Sequence, residues 1–227
     1  MGDLGSRLAS VRSRVAEACA RAGRDPGTVR LVAVSKTVPA EDVRRAVTLG
    51  QNLFGENRIQ EAIPKIEAAG RGASWHFVGH LQTNKARQAV GRFELIHGVD
   101  DRGLVDELDR RAAAQGIVQP VLAQANLAGE STKHGAGEDG LGRLVEAVAA
   151  ARYLDLRGLM IIPPPVDDPE SSRRWFARLR TLRDGLADRL GRPLPELSMG
   201  MTDDFEVAIE EGATLIRVGR AIFGERS

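Results

Sequence analysis

Short apolar runs alternate with amphipathic stretches along almost the whole chain, and this alternation constrains the fold more than any other feature. The amphipathic stretches carry apolar residues every three or four positions, so strands are expected to alternate with helices. We predict eight strands, near positions 31–35, 52–55, 75–78, 94–97, 121–125, 156–159, 196–198 and 215–218. Eight such units within 227 residues favour an α/β fold of the (β/α)8 TIM-barrel type. An open doubly wound sheet is the alternative, although no Gly-x-Gly-x-x-Gly motif follows the first strand.

An additional helix is predicted ahead of the barrel, within residues 1–23. Its apolar residues recur at steps of three or four positions: Leu4, Leu8, Val11, Val15 and Cys19. We assign residues 29–227 to the barrel. We expect residues 1–227 to form a single domain, because no stretch has the composition of a flexible linker.

The composition excludes several kinds of partner. A formal net charge of +1 and 4% aromatic residues provide neither attraction for nucleic acid nor a stacking surface for bases. Since no apolar run is long enough to cross a bilayer and no leader segment is present, we expect a cytoplasmic protein without a membrane partner. We also expect a monomer, and we expect the single cysteine, Cys19, to be a buried structural thiol.

Lysine is rare in this chain and its placement is informative. The sequence has four lysines against twenty-eight arginines, and Lys36 closes the apolar run of the first predicted strand. Unlike arginine, a partly desolvated lysine can lose its proton and form a Schiff base with a carbonyl compound. We therefore expect chemistry at Lys36, whereas Lys85 and Lys133 are interpreted as solvated loop residues.

The loops after strands seven and eight together predict an anion site. In a barrel of this type, functional residues gather at the carboxyl ends of the strands. Ser198 and Thr202 supply hydroxyls after strand seven, and Gly219 precedes a short predicted helix that begins at Arg220. Backbone N–H groups at a helix start favour phosphate. The alternative is that Ser198 and Thr202 only cap the helix after strand seven.

Arg217 is expected to point into the barrel mouth. Period-two alternation places it opposite Ile216 and Val218, which should pack against helices. An arginine beside the ring nitrogen of a ligand would keep that nitrogen unprotonated. A structural salt bridge to a carboxylate is the alternative.

The histidines do not predict a metal site. His76 and His80 are four positions apart, but along an extended strand this spacing separates them by about 13 Å. His97 and His134 are isolated in sequence and are interpreted as polar loop residues.

A strand-one lysine, a phosphate site after strands seven and eight and an inward arginine together resemble the pyridoxal 5′-phosphate (PLP) site of alanine-racemase-like barrels. Within that group, the chain resembles the YggS/PROSC family of PLP homeostasis proteins. The stretches that carry this resemblance are AVSKT (33–37), FGEN (54–57), WHFVGHLQTNK (75–85), GLM (158–160), LSMGMTDD (197–204) and IRVGRAIFG (216–224).

The resemblance implies a PLP site in this barrel. Lys36 would carry the cofactor as an internal aldimine, Asn57 would lie beside it and Arg217 would face its ring nitrogen. The residues implied to hold the phosphate are Ser198, Thr202 and the backbone of Gly219 and Arg220.

Catalysis is not expected. Alanine racemases, which the chain resembles, also use a tyrosine from a second, β-rich domain. The only tyrosine here, Tyr153, precedes strand six and so belongs to the opposite end of the barrel. We therefore predict a non-catalytic PLP-binding protein that buffers or delivers the cofactor in the cell, with transient contact to apo PLP-dependent enzymes. A PLP-dependent amino-acid racemase is the alternative, and a third reading is a cofactor-free Schiff-base aldolase that acts on a sugar phosphate.

Overall fold

Eight parallel strands form a closed barrel in sequence order, and β1 pairs with β8 to complete it. The computed structural model describes residues 3–130 and 134–224. The strands are β1 (Arg30–Val34), β2 (Leu53–Glu56), β3 (Ser74–Phe77), β4 (Leu95–Val99), β5 (Gln119–Ala125), β6 (Leu154–Ile161), β7 (Glu196–Ser198) and β8 (Leu215–Val218). The predicted (β/α)8 barrel is confirmed.

Helices connect the strands and surround the barrel. They are α1 (Leu4–Arg21), α2 (Ala40–Thr48), α3 (Ile59–Ala69), α4 (Ala86–Ala89), α5 (Arg102–Gln115), α6 (Glu138–Ala150), α7 (Arg173–Leu190), α8 (Phe205–Glu210) and α9 (Arg220–Phe223). Short 3₁₀ turns lie at Pro26–Thr28, Gly70–Gly72, Thr83–Lys85 and Pro169–Ser172. In the described ranges, each helix is too short or too polar to cross a membrane.

The predicted N-terminal helix is α1, which packs against α8 and α9 at the closing end of the barrel. The Asp3 carboxylate accepts the Ser6 N–H and caps the first turn. Arg7 Nε donates to the carbonyl of Ile222 in α9 at 2.7 Å. Cys19 is fully buried on the inner face of the helix, as expected.

The buried apolar residues of the described ranges form two clusters. A small one lies inside the barrel and consists of Val32, Val78, Leu95, Leu122, Met160 and Leu215. A much larger one lies between the barrel and the helices and includes Ile216 and Val218. Alternate residues of a strand point to opposite faces, so Leu215 and Arg217 share the inner face of β8.

Candidate functional site

A cavity of about 570 Å³ opens at the carboxyl ends of the strands. Six of the seven residues predicted for the site line it: Lys36, Asn57, Thr202, Arg217, Gly219 and Arg220. The sequence did not single out the other lining residues, which are Val34, Val78, Gly79, Ile162, Met201 and Asp203. Met201 and Asp203 are direct neighbours of Thr202, so for these two residues adjacency in sequence was the available signal.

The backbone around Lys36 is tightly held. Lys36 follows β1, and Ser35 N–H still donates to Gly55 O of β2 at 3.0 Å. Thr37 has a positive φ of 63°, and in the described part of the chain all other residues with positive φ are glycines. Its N–H donates to Glu61 Oε2 at 3.1 Å. A positive φ costs free energy at a threonine and persists where surrounding contacts enforce it, often at a functional site.

A buried ion pair lies directly behind Lys36. Lys65 Nζ donates to Glu56 Oε1 at 2.7 Å and to the carbonyl of Ser35 at 2.6 Å. Ser35 Oγ donates to the same Glu56 oxygen at 2.6 Å. The Glu56 side chain is fully buried, and its second oxygen has no partner among the described residues. The sequence analysis missed this pair. The available signal was that Lys65 lies three positions after Ala62 and six after Ile59, on the same buried face of α3.

The loop after β7 brings Thr202 to the cavity. Gly200 has φ of 89°, and a Cβ there would lie 2.6 Å from Ala208 Cβ, so only glycine fits this turn. The Asp204 carboxylate accepts the Met201 N–H at 2.8 Å and fixes the loop in front of α8. Asp204, which makes no side-chain capping bond, is the N-cap residue of α8. The alternative that Ser198 and Thr202 cap this helix is therefore wrong.

Gly219 and Arg220 line the same cavity on the side of β8. They join β8 to α9, and the first N–H groups of a helix have no acceptor within it. A Cβ on Gly219 would lie 3.3 Å from Val34 O, which is tighter than an ordinary contact. The Arg220 guanidinium forms an exposed ion pair with Asp203 at 2.5 Å. Hydroxyl and amide donors therefore converge here, an arrangement that suits an anion.

Arg217 lies inside the barrel mouth and is only 4% exposed. Its guanidinium donates to Ser198 Oγ and, at 2.8 Å, to the Ile161 carbonyl. Burial lowers the pKa of Arg217 to about 10, so the group stays cationic at neutral pH. No ion pair joins it to a carboxylate within the described ranges, so the salt-bridge alternative is not observed.

Ser198 occupies a different place from the other predicted residues. It is fully buried, and its hydroxyl contacts the Arg217 guanidinium and His97 Nδ1 instead of lining the cavity. Its contact with phosphate therefore stays a prediction, while the structure gives it a positioning role beneath Arg217.

His97 lies in the strand predicted near 94–97 and not in a loop, as its isolation in sequence had suggested. It lies within β4, is fully buried, and its Nε2 is 2.9 Å from His76 Nδ1. Burial lowers the pKa of His76 to about 3 and that of His97 well below 6.5, so both imidazoles are neutral. The signal was the period of two, because Leu95 of the same strand faces the barrel interior.

Asn57 contributes an unsatisfied acceptor at the cavity. Its Oδ1 is buried without a partner in the described part of the chain. A Cβ on Gly79 would lie 2.6 Å from the Asn57 carbonyl, so the two loops are in close contact. Lys85 ends a 3₁₀ turn and does not line the cavity, and Lys133 lies outside the described residues.

Known proteins match this chain along almost its entire length. The model of the alanine racemase N-terminal domain family matches residues 7–227. The pyridoxal phosphate homeostasis protein of Aquifex aeolicus is 46% identical, over 97% of this chain and 97% of that relative. The chain belongs to the pyridoxal phosphate homeostasis protein family.

Solved structures agree with the barrel. PipY of Synechococcus elongatus, determined with PLP bound, has a TM-score of 0.86 at 37% identity and covers 98% of this chain and 100% of its own. Alanine racemase from Corynebacterium glutamicum has a TM-score of 0.70 at 17% identity, which shows the shared fold alone. The match covers 96% of this chain but 62% of the racemase.

Proposed function

We propose that this protein binds PLP covalently at Lys36 and serves intracellular PLP homeostasis without turning over amino acids. The observation that carries the proposal is the meeting of a strand-end lysine, an anion cradle and a buried arginine in one cavity. The name of the Aquifex relative and the PLP bound to PipY support the same ligand.

The residues present fit the chemical parts of PLP. When bound, PLP supplies an aldehyde that forms a covalent bond with a lysine amine. Lys36 provides that amine at the end of β1, and Thr202 with the amides of Gly219 and Arg220 provides donors for a phosphate. The unpartnered Asn57 oxygen gives a further polar contact beside the cavity.

Arg217 favours binding over catalysis. Its guanidinium is cationic and is held by Ser198 and the Ile161 carbonyl, so it lines the cavity as a fixed positive charge. A cation facing the pyridine nitrogen opposes protonation of that nitrogen. An unprotonated pyridine is a weaker acceptor of electrons from an amino-acid substrate.

The position of Tyr153 also argues against racemisation. Tyr153 directly precedes β6, at the amino end of the strand, whereas the cavity opens at the carboxyl ends. Racemisation requires acid and base groups on both faces of the substrate, and Lys36 could serve only one. We therefore assign the protein a carrier role in the cytoplasm, as a monomer that contacts apo PLP-dependent enzymes transiently.

Reduction of the holoprotein with borohydride, followed by peptide mass mapping, tests the assignment of Lys36. We expect the cofactor adduct on Lys36, no adduct in Lys36→Ala, and a normal adduct in the matched control Lys85→Ala. An adduct found mainly on Lys65, Lys85 or Lys133 would show that the assignment is wrong.

Deuterium exchange tests the absence of catalysis. Holoprotein incubated with L-alanine in deuterated water should show Cα exchange and D-isomer formation no faster than free PLP. One well-placed acid or base is worth roughly 10²- to 10⁴-fold in rate, so a competent site would be conspicuous. Turnover that is lost in Lys36→Ala and in His80→Ala or His134→Ala would favour the racemase instead.

A further inference from the structure

Three loops at the carboxyl face bring two histidines and an aspartate together. His80 follows β3, Asp100 follows β4 and His134 lies in the loop after β5. Asp100 Oδ2 is 3.3 Å from His80 Nδ1 and 3.7 Å from His134 Nδ1. The potential ligand atoms of the three residues all lie within 4.8 Å of one another. None of the three lines the cavity that contains Lys36.

The spacing of these atoms matches that of metal ligands. Zinc binds histidine nitrogen and carboxylate oxygen at about 2.0–2.2 Å, so two ligands at a tetrahedral angle are about 3.3–3.6 Å apart. Of the two distances to Asp100 Oδ2, the 3.3 Å to His80 lies within this range and the 3.7 Å to His134 lies about 0.1 Å above it.

A bound cation would compensate the negative charge of the buried Asp100 carboxylate. Its side chain is only 8% exposed, and its Oδ1 is buried without a partner among the described residues. No arginine or lysine of residues 3–130 and 134–224 forms an ion pair with it.

The backbone that carries the three side chains is held in place. The His134 carbonyl accepts Gln124 Nε2 at 3.0 Å, and Ala136 N–H donates to Gln124 O at 2.8 Å, which ties the loop to β5. On the other side, a Cβ on Gly98 would lie 2.4 Å from Gly79 O, so β4 contacts the residue before His80 closely. Ligands fixed in this way lose less freedom when they bind an ion.

The two imidazoles can turn to face an ion. Their rings stack at 3.5 Å with an interplanar angle of 6°, so coordination requires each ring to tilt toward a point between them. Rotation about the terminal torsion of histidine has a broad energy profile. The side chains are 33% and 55% exposed, so they have room for that rotation.

We propose that His80, Asp100 and His134 form a binding site for one divalent transition-metal ion. Two imidazoles and one carboxylate suit Zn²⁺ and its neighbours in the first transition row better than Mg²⁺ or Ca²⁺, which prefer all-oxygen sites. Three protein ligands leave a fourth position for water or an added ligand. The site stands independently of Lys36 and of the proposed cofactor.

Equilibrium dialysis of untagged holoprotein against Zn²⁺, followed by elemental analysis, measures the site directly. We expect one Zn²⁺ per chain and, with Co²⁺, the visible absorption of a low-coordinate cobalt centre. Loss of even an outer partner of a metal site costs about 10–100-fold in affinity, so His80→Ala, Asp100→Asn and His134→Ala should each lose at least that much.

Two control variants make the outcome decisive. Asp106→Asn removes an exposed carboxylate that pairs with Arg102, and it should bind Zn²⁺ like wild type. Lys36→Ala should also bind Zn²⁺ normally, which separates this proposal from that of the cofactor. If the three ligand variants bind Zn²⁺ as tightly as wild type and circular dichroism shows that all of them are folded, the proposed site is overturned. Absence of binding by wild type would also overturn it and would leave a hydrogen-bonded cluster.

Discussion

At the scale of single residues, the Lys65–Glu56 pair behind Lys36 should be a large contributor to stability. Removing one member leaves an uncompensated buried charge, which typically costs about 3–5 kcal/mol. We expect Lys65→Met to lower the free energy of unfolding by this amount in urea titrations. Asp106→Asn breaks an exposed pair of similar bond length and should cost less than about 1 kcal/mol.

The double variant Glu56→Gln with Lys65→Met tests the reason for that loss. Because both charges are gone, it should recover much of the free energy lost in the single variant. A double variant as unstable as the sum of the two single variants would point to lost packing instead.

His76 and His97 should make the fold sensitive to mild acid. Burial lowers the pKa of His76 to about 3 and that of His97 well below 6.5. The unfolded imidazoles take up protons near pH 6.5 while the folded ones do not, so stability falls as pH falls below about 6.5. Each histidine should contribute a slope of roughly 1.4 kcal/mol per pH unit.

Urea unfolding between about pH 6 and pH 5 measures this slope. His76→Asn keeps a polar group beside His97 and should remove about half of the histidine contribution. The raised pKa of Asp100 acts in the opposite direction, but it cancels in the difference between wild type and variant. An unchanged slope in His76→Asn would contradict the prediction.

Local patterns could predict some residues and not others. Lys36 ends an apolar run and Arg217 alternates with apolar neighbours, so each carries its own signal. The partners of His97 come from β3 and β7, more than twenty positions away in either direction. The period of two in β4 shows that His97 shares the inner face with Leu95, but the local sequence does not show which side chains it contacts there.

At the scale of elements, Gly158 lets β6 change faces. The pairing of β5 with β6 shifts register between Val121 and Leu122, so Arg157 is bypassed as a bulge. Before the bulge, Leu156 packs outside the barrel, and after it Met160 packs inside. Without this shift the alternation of β6 would place Met160 among the helices.

Gly158→Ala should therefore be strongly destabilising. Gly158 has φ of 154°, and an added Cβ would lie 1.9 Å from Glu196 O of β7. Backbone strain and overpacking each cost about 1–3 kcal/mol, so we expect a loss of at least about 2 kcal/mol in urea unfolding.

Gly185→Ala is the matched control, and it should change the free energy of unfolding in the opposite direction. Gly185 is exposed within α7, and an added Cβ there meets nothing within 4 Å. Gly185→Ala should stabilise the protein by about 0.5–1 kcal/mol because alanine favours the helix. If Gly158→Ala and Gly185→Ala change the free energy of unfolding by similar amounts, the close contact between β6 and β7 must relax to accept the added methyl group.

Strand boundaries were predicted within a few residues, but the type of helix between β3 and β4 was not. The sequence also predicts a helix near 83–90, and the structure has there a 3₁₀ turn followed by the single turn of α4. Gly91, with φ of 76°, follows the end of that segment. The bulge in β6 was not predicted, because a period of two does not reveal where one residue is skipped.

At the scale of the whole molecule, cofactor binding should stabilise the fold mainly through phosphate. A ligand at a hundred times its dissociation constant adds about 2.7 kcal/mol to the free energy of unfolding. PLP should therefore raise the melting temperature clearly, whereas pyridoxal at the same concentration should raise it much less. Equal shifts would argue against the cradle of Thr202, Gly219 and Arg220.

The barrel closes by pairing β1 with β8, and the cavity lies across that seam. Lys36 comes from the first strand, whereas Thr202 and Gly219 come from the last two connections. During synthesis, Lys36 therefore leaves the ribosome long before Thr202 and Gly219. A growing chain that still lacks β8 has no complete pocket, so we expect the proposed cofactor to bind only after nearly all of the protein has been made.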